Sequence, residues 1–123
     1  MHTNKKELSA LEMLTARSHF LAVQGSGKKW VSKSLILQIK ENDLGIIRTG
    51  YTVSKKVDKS AVKRNRIKRR LRAAAADGLT RHAKTGYDFV LVGRRETSTK
   101  DYKDIVSDLK WCLKKLDAVE KKD

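Results

Sequence analysis

Residues 61–76 read Ala-Val-Lys-Arg-Asn-Arg-Ile-Lys-Arg-Arg-Leu-Arg-Ala-Ala-Ala-Ala, and this stretch shapes the whole domain. Arg, Lys and Ala are strong helix formers, and Ser60 precedes the run as a candidate N-cap. Four residues share one arc of such a helix and are expected to face the core: Ile67, Leu71, Ala74 and Ala75. Cations occupy both flanks of that arc. The pattern predicts a long basic helix that ends either at Gly78 or near His82.

The positive charge of the chain is concentrated around this helix. The chain has 123 residues, with 29 Lys and Arg against 14 Asp and Glu, and its formal net charge is +15. Ten residues between positions 55 and 72 are basic and only Asp58 is acidic, so this segment alone carries a net charge of +9. Because like charges at neighbouring helix positions repel one another, the cluster predicts a polyanionic partner, and nucleic acid is the leading candidate.

Composition and spacing exclude several other classes of protein. No apolar run approaches the roughly 18 residues that a membrane span needs, and no apolar segment follows the basic N-terminus as in a secretory signal. The single cysteine, Cys112, cannot form an internal disulfide, and with three scattered histidines it makes no zinc pattern. No Ser-His-Asp or paired-carboxylate arrangement is evident, so we assign no catalytic residue and no metal site. We expect a reduced, cytoplasmic protein that does not contact membranes.

The remaining pattern predicts a small single α+β domain with the order α-β-β-β-α-β-α and one four-stranded mixed sheet on which the helices pack. We expect the domain to span residues 15–117, between an N-terminal tail at 1–14 and a charged C-terminal tail at 118–123. Leu11 or Leu14 is the expected apolar anchor of the first tail. Ser98-x-x-Asp101 resembles a capping box for the last helix.

Alternating side chains predict the two faces of the sheet. In the strand at 34–40, three apolar residues point one way: Leu35, Leu37 and Ile39. Their neighbours point the other way: Ile36, Gln38 and Lys40. The strand at 46–54 has a similar apolar face and a mixed face that includes Thr52 and Ser54. We therefore expect a sheet with one covered face and one open face.

The basic stretch resembles the signature of the bacterial ribonuclease P protein component, above all in its Arg64-Asn65-Arg66 core. The similarity spans roughly residues 14–116. It continues, in chain order, through Phe20-Leu21-Ala22-Val23, Gly50-Tyr51-Thr52-Val53-Ser54 and Tyr87-Asp88-Phe89-Val90-Leu91-Val92. The resemblance implies an uncommon left-handed β-α-β crossover around the basic helix, against the usual right-handed rule.

The resemblance also implies a function. Such a protein is the small subunit of a ribonucleoprotein whose catalytic RNA removes the 5′ leader from precursor tRNA, with Mg²⁺ held mainly by the RNA. The expected partners are ribonuclease P RNA and precursor tRNA, with one protein per RNA and no cofactor bound by the protein alone. The alternative from the basic composition is a ribosomal or other structural RNA-binding protein with no role in cleavage.

Two groups of site residues follow. The expected RNA-binding residues are Lys55, Lys56, Lys63, Arg64, Asn65, Arg66, Lys68, Arg69, Arg70 and Arg72. The expected residues of a cleft for the single-stranded leader are Phe20, Gln24, Ile36, Gln38, Thr52 and Ser54. Gln24 and Gln38 stand where many family members carry aromatic residues. The amide of Asn65 has either RNA or a backbone group as its expected partner, and Trp30 either stacks on a base or packs at a helix–sheet edge.

Overall fold

The computed structural model describes residues 11–120, which form five strands and four helices. The strands are β1 (Leu11–Met13), β2 (Lys29–Val31), β3 (Leu35–Glu41), β4 (Ile47–Thr52) and β5 (Tyr87–Gly93). The helices are α1 (Arg17–Gly25), α2 (Ala61–His82), α3 (Arg95–Thr99) and α4 (Tyr102–Lys115). The α+β class is confirmed, whereas the predicted strand count of four is wrong because β1 adds a fifth strand.

The five strands form one mixed sheet in the order β1-β4-β5-β3-β2. Strand β4 runs parallel to both of its neighbours, β1 and β5, while β3 is antiparallel to both β5 and β2. Because α2 connects the adjacent parallel strands β4 and β5, the chain contains the expected β-α-β crossover. Its left-handed sense stays a prediction.

The N-terminal boundary of the domain lies earlier than residue 15. Of the predicted tail at 1–14, residues 1–10 lie outside the described part of the chain, but Leu11–Met13 pair in parallel with β4. The backbone N–H of Leu14 then donates to the carbonyl of Thr49 at 2.8 Å, and the Leu14 side chain is buried. A strand of three residues is too short for its alternation to be recognised, and its pairing depends on the free edge of β4.

The C-terminal boundary lies later than residue 117, which corrects the tail predicted at 118–123. Asp117 has a positive φ of 55°, and the N–H of Ala118 donates to the carbonyl of Leu113 at 2.8 Å. This turn ends α4 and folds the chain back, so Ala118 is fully buried and the N–H of Glu120 donates to a backbone carbonyl of α2. Residues 121–123 lie outside the described part of the chain.

Helix α2 packs on the sheet and on α4 through the predicted apolar arc. Its buried residues are Ile67, Leu71, Ala74, Ala75, Gly78 and Leu79. Ser60 is the N-cap, as predicted, and its Oγ accepts a hydrogen bond from the N–H of Lys63 at 3.2 Å. Gly78 does not end the helix, which continues to His82. A Cβ at Gly78 would lie 2.8 Å from Leu109 Cδ2, so the glycine permits a close approach of the two helices.

Helix α4 buries a stripe of apolar residues against the same side of the sheet: Ile105, Leu109, Cys112 and Leu113. Burial raises the pKa of the Cys112 thiol to about 11, as expected for a structural cysteine. The expected capping box at Ser98 is wrong, because Ser98 lies inside α3 and Asp101 is the N-cap position of α4. Thr97 fixes α3 by donating its hydroxyl to the carbonyl of Ser34.

The opposite face of the sheet was predicted to be open, but α1 covers part of it. Leu14, Val23 and Val90 form a second small core there, and Phe20 and Val92 pack against it. The rest of that face stays accessible beside α1. The helix therefore acts as a wall along a partly covered sheet, which creates a groove rather than a flat surface.

An ion pair lies at one end of this second face of the sheet. Arg48 Nε and Nη2 donate to Asp88 Oδ1 and Oδ2, both at 2.8 Å, and Asn42 Nδ2 donates to Asp88 Oδ1 at 2.9 Å. Burial alone would raise the pKa of Asp88, but the hydrogen bonds from Arg48 and Asn42 and the charge of Arg48 outweigh it. The pKa of Asp88 is therefore lowered. The pair joins neighbouring positions of β4 and β5.

We predict that Asp88→Asn lowers the free energy of unfolding by about 1.5–3 kcal/mol at pH 7, the usual range for hydrogen bonds to charged groups. Because the pKa of Asp88 is lower in the folded chain, its ionic contribution is present above the ordinary value of 3.8 and is lost as the pH falls below it. Urea unfolding of both proteins at neutral and at acidic pH measures this difference. An equal difference at both pH values would contradict an ionic contribution.

One arginine of α2 ties the helix to the segment between α3 and α4. Arg70 Nη2 donates to the carbonyl of Lys100 at 2.6 Å, and Nη1 donates to the carbonyl of Ser98 at 3.5 Å. The Arg70 side chain is half-buried. The neighbouring Arg69 is exposed and its side chain makes no hydrogen bond within the described residues. Adjacent arginines of one helix therefore have different surroundings.

We predict that Arg70→Ala lowers the free energy of unfolding by about 1–3 kcal/mol, because it removes the donor to the part-buried carbonyl groups of Ser98 and Lys100. Arg69→Ala is the matched control and should change stability by about 0.5 kcal/mol or less. Urea or thermal unfolding of the two variants beside the wild type measures the effect. Equal stability of the two variants would show that the Arg70 contacts do not support the fold.

Candidate nucleic-acid interface

The exposed cations of α2 and the preceding loop form one surface, here called the basic surface. Seven of the ten predicted RNA-binding residues have side chains that make no hydrogen bond or ion pair with the described part of the chain: Lys55, Lys56, Lys63, Asn65, Arg66, Lys68 and Arg69. Lys68 is half-buried and the other six are exposed. This surface therefore offers cations that no carboxylate of residues 11–120 neutralises, and it suits a polyanion.

The side chains of the other three predicted residues, unlike those seven, contact groups within the domain. Arg64 Nη1 donates to the carbonyls of Asp58 and Lys59, both at 2.9 Å, which fixes the loop before α2. The guanidinium of Arg72 lies 5.3 Å from the centroid of the Tyr51 ring. Arg70 holds the segment between α3 and α4, as described above. Sequence reasoning did not reveal these roles, because each partner is a backbone carbonyl or a ring brought near only by the fold.

Asn65 lies on the exposed side of α2. Its side chain makes no hydrogen bond to a backbone group among residues 11–120, so the intramolecular partner considered from the sequence is not seen. Asn is a poor helix former in the middle of a run of strong ones. Its amide is exposed on the same helix as Arg66 and Arg69, and an RNA partner for it stays a prediction.

The second group of predicted residues lies on the sheet face beside α1. Four of them line one groove of about 150 Å³ together with Val90 and Val92: Phe20, Gln24, Gln38 and Thr52. Helix α1 supplies Phe20 and Gln24 as one wall, and the strands supply the floor. The structure thus brings both glutamines and the aromatic ring together, as the alternation in β3 predicted for Gln38.

The aromatic wall of this groove depends on a glycine. A Cβ at Gly50 would lie 2.4 Å from Cε1 and 2.6 Å from Cζ of Phe20, so the ring rests directly on the backbone of β4. Phe20 is half-buried and packs against the small core formed with Val90. The ring is therefore held in place, and part of it remains accessible from the groove.

The remaining two predicted residues, Ile36 and Ser54, line an adjoining groove of about 450 Å³ that shares Val92 with the first. Three cations also line it: Lys56, Arg94 and Arg95. Lys56 lies in the turn between β4 and α2 and belongs to the basic surface as well. We call the two adjoining grooves together the cleft. The cleft is continuous with the basic surface at Lys56.

Arg94 and Arg95 were missed from the sequence. Arg94 Nη1 donates to the carbonyl of Ser32 at 2.6 Å, whereas Arg95 is exposed. The signal that could have found them is their position directly after β5, next to the strand that carries Val92. They add positive charge to a cleft that the cation Lys56 and one acid, Glu96, also line.

Residues 11–120 contain no group of three or more His, Cys, Asp or Glu side chains placed to hold a metal ion. None of the helices in this part of the chain is long and apolar enough to cross a membrane. The features that do stand out are unneutralised cations, a positioned aromatic ring and side-chain amides.

Relatives of known identity share most of the chain. A ribonuclease P protein component of Paramagnetospirillum magneticum is 42% identical over 116 residues, which cover 90% of this chain and 86% of that protein. One from Clostridium botulinum is 43% identical over 96 residues, which cover 78% of this chain and 86% of that protein.

Solved structures share the fold. The ribonuclease P protein of Staphylococcus aureus superposes with a TM-score of 0.72 at 21% identity, covering 88% of this chain and 97% of that one. The ribonuclease P protein of Thermotoga maritima gives 0.70 at 24% identity, covering 89% and 99%. The family model described as Ribonuclease P matches residues 8–117. Because that match spans most of the sequence and the relatives above exceed 40% identity, the chain belongs to the ribonuclease P protein family.

Proposed function

We propose that the chain is the protein subunit of ribonuclease P. In this proposal it binds the catalytic RNA and the 5′ leader of precursor tRNA, and it assists the Mg²⁺-dependent, RNA-catalysed removal of the leader. The observation that carries the proposal, beside family membership, is the junction at Lys56 of two surfaces with different chemistry. One is cationic and convex, and the other is a cleft with an aromatic wall.

The basic surface supports binding to a large folded RNA. Arg66 and Arg69 present planar guanidinium groups that suit phosphate oxygens, and neither is neutralised within the described residues. Contacts to phosphates release counterions from the RNA, so binding through this surface should be strongly salt-dependent. Asn65 is one helical turn before Arg69 on the exposed side of α2, and its amide adds a group that can both donate and accept hydrogen bonds.

The cleft supports binding to a single RNA strand. Phe20 offers a ring on which a base can stack, and Val90 and Val92 give an apolar floor. Gln24 and Gln38 offer amides that can hydrogen-bond to base edges, while Lys56 and Arg95 can contact the backbone phosphates. In a duplex the base faces are stacked and the pairing edges are occupied, so an unpaired leader is the form of RNA that can use this ring and these amides.

The protein's part in the reaction is positioning. We assign it no catalytic residue, and we propose that the Mg²⁺ ions are held mainly by the RNA, which carries the chemistry. One protein per RNA is the proposed stoichiometry. The chain would place the leader in the cleft while α2 holds the catalytic RNA, so that the scissile bond lies between two fixed attachments.

Reconstitution tests this function. The protein mixed with the ribonuclease P RNA of the same organism should cleave the leader from precursor tRNA, and the protein alone should not. Arg69→Ala should weaken binding to the RNA and reduce the salt dependence by roughly one unit of slope or less, because one phosphate contact is lost. Lys103→Ala, which removes a cation of α4 outside both surfaces, is the control.

Two outcomes would contradict the proposal. If the protein binds the RNA but never affects cleavage of precursor tRNA, the alternative of a structural RNA-binding protein is favoured. If Arg69→Ala and Lys103→Ala bind with the same affinity and the same salt slope, the basic surface is not the binding surface.

The two glutamines of the cleft lead to a separate prediction. The double variant Gln24→Phe, Gln38→Tyr should bind precursor leaders more tightly, since a stacked base contributes roughly 1–3 kcal/mol. It should also discriminate less among leader sequences, because every base has a stacking face whereas an amide reads hydrogen-bonding edges. Leader binding by reconstituted wild type and variant across a set of leader sequences measures both effects.

A control separates the cleft from a general effect of added aromatic surface. Leu44→Phe places a ring at an exposed loop position, 53% exposed, outside the cleft, and it should leave leader binding unchanged. If the double variant binds no tighter than the wild type and shows the same spread among sequences, the glutamines do not contact the leader.

A further inference from the structure

Both tryptophans of the chain lie near one lysine, Lys115, at a surface away from the cleft. Trp30 lies in the edge strand β2 and Trp111 lies in α4. The Lys115 ammonium is 4.4 Å from the centroid of the Trp111 ring and 5.8 Å from that of Trp30. Trp111 is 48% exposed and Trp30 is 38% exposed. We call these three residues the tryptophan site.

Burial in the hydrophobic core does not explain why these three residues lie together. The stripe that α4 buries includes the neighbouring Cys112 and Leu113, but Trp111 lies outside it. Lys115 is exposed and forms no ion pair with a carboxylate of residues 11–120. Two large rings and an unneutralised cation at one exposed place are the combination that binds an unpaired nucleotide, through stacking and a phosphate contact.

The register of the sheet shows which RNA can reach the site. Trp30 pairs with Leu37, whose side chain faces the helix-covered side, while Ile36 and Gln38 face the cleft. The tryptophan site is therefore on the opposite side of the sheet from the leader. It is on the side of α2, which packs directly against α4. A large RNA seated on the basic surface lies on this side, and a leader strand in the cleft does not.

We propose that the tryptophan site is an additional contact with the catalytic RNA, in which an unpaired base stacks on the exposed indole rings and Lys115 contacts its phosphate. The proposal rests on the proposed function. Charge complementarity favours RNA over a second copy of the chain, because two molecules of net charge +15 repel each other. The protein would then hold the RNA on both flanks of its helical layer, through α2 and through the edge formed by α4 and β2.

Intrinsic fluorescence gives a direct test, because the two tryptophans are the only ones in the sequence. Titration of the full-length protein with ribonuclease P RNA of the same organism, without precursor tRNA, should quench the emission and saturate at one RNA per protein. A single-stranded leader oligonucleotide should bind without quenching. Quenching by the leader oligonucleotide instead would overturn the assignment to the catalytic RNA.

Variants at the site supply an independent readout. Trp111→Ala should weaken binding to the catalytic RNA by roughly 5- to 150-fold if a base stacks there. Trp111→Phe should retain most of the affinity because it keeps a stacking ring. Lys115→Gln leaves both rings in place and should lower the salt slope. Thermal unfolding of each variant identifies any loss of fold, and Lys115→Gln tests the site even if Trp111→Ala is destabilised.

The result that overturns the inference is distinct from failure of the proposed function. If the RNA binds and precursor tRNA is processed, but the fluorescence is unchanged and all three variants bind like the wild type, the site does not contact RNA. If neither binding to the RNA nor an effect on processing is seen with the wild type, the proposed function fails, and this inference fails with it.

Discussion

The close packing of α2 on the sheet and on α4 is the constraint on which the rest of the structure depends. The apolar arc of the helix is narrow, so α2 must approach both neighbours closely to bury it. Gly93 makes this possible on the sheet, where a Cβ would lie 2.7 Å from Ile67 Cγ2, and Gly78 does the same towards Leu109. Because only the narrow apolar arc packs against the sheet and α4, the flanks of the helix and the cations on them stay in solvent.

A helix with so many like charges is less stable than one with interspersed acids, since each exposed like-charged pair costs a few tenths of a kcal/mol. The fold offsets part of this cost. Arg64 and Arg70 donate to backbone carbonyls, and Arg72 lies against the ring of Tyr51. The remaining cations have no such partner within the described residues, and we propose that RNA supplies it.

The cleft differs in kind from the basic surface, although both would serve RNA. Its wall is a single ring held against Gly50, and the positions of Gln24 and Gln38 make it richer in hydrogen-bonding groups than in stacking surface. We propose that a cleft of this composition is less tolerant of any base and more sensitive to base edges than an aromatic-lined one. Helix α1 creates it by covering only half of a sheet face, so one element both completes a small core and forms a binding wall.

Features with a local cause were predictable from the sequence. They are the N-cap at Ser60, the buried arc of α2, the buried stripe of α4, and the alternation that points Gln38 and Leu37 to different faces of the sheet. Helix propensity and the periodicity of apolar side chains depend on residues a few positions apart, so the order of residues in the sequence reveals them. Strand β1, the buried Ala118, the contacts of Arg70 and the position of Trp30 and Trp111 beside Lys115 were not predictable. Each joins segments distant in sequence, so only the assembled sheet and its packed helices bring the partners within reach.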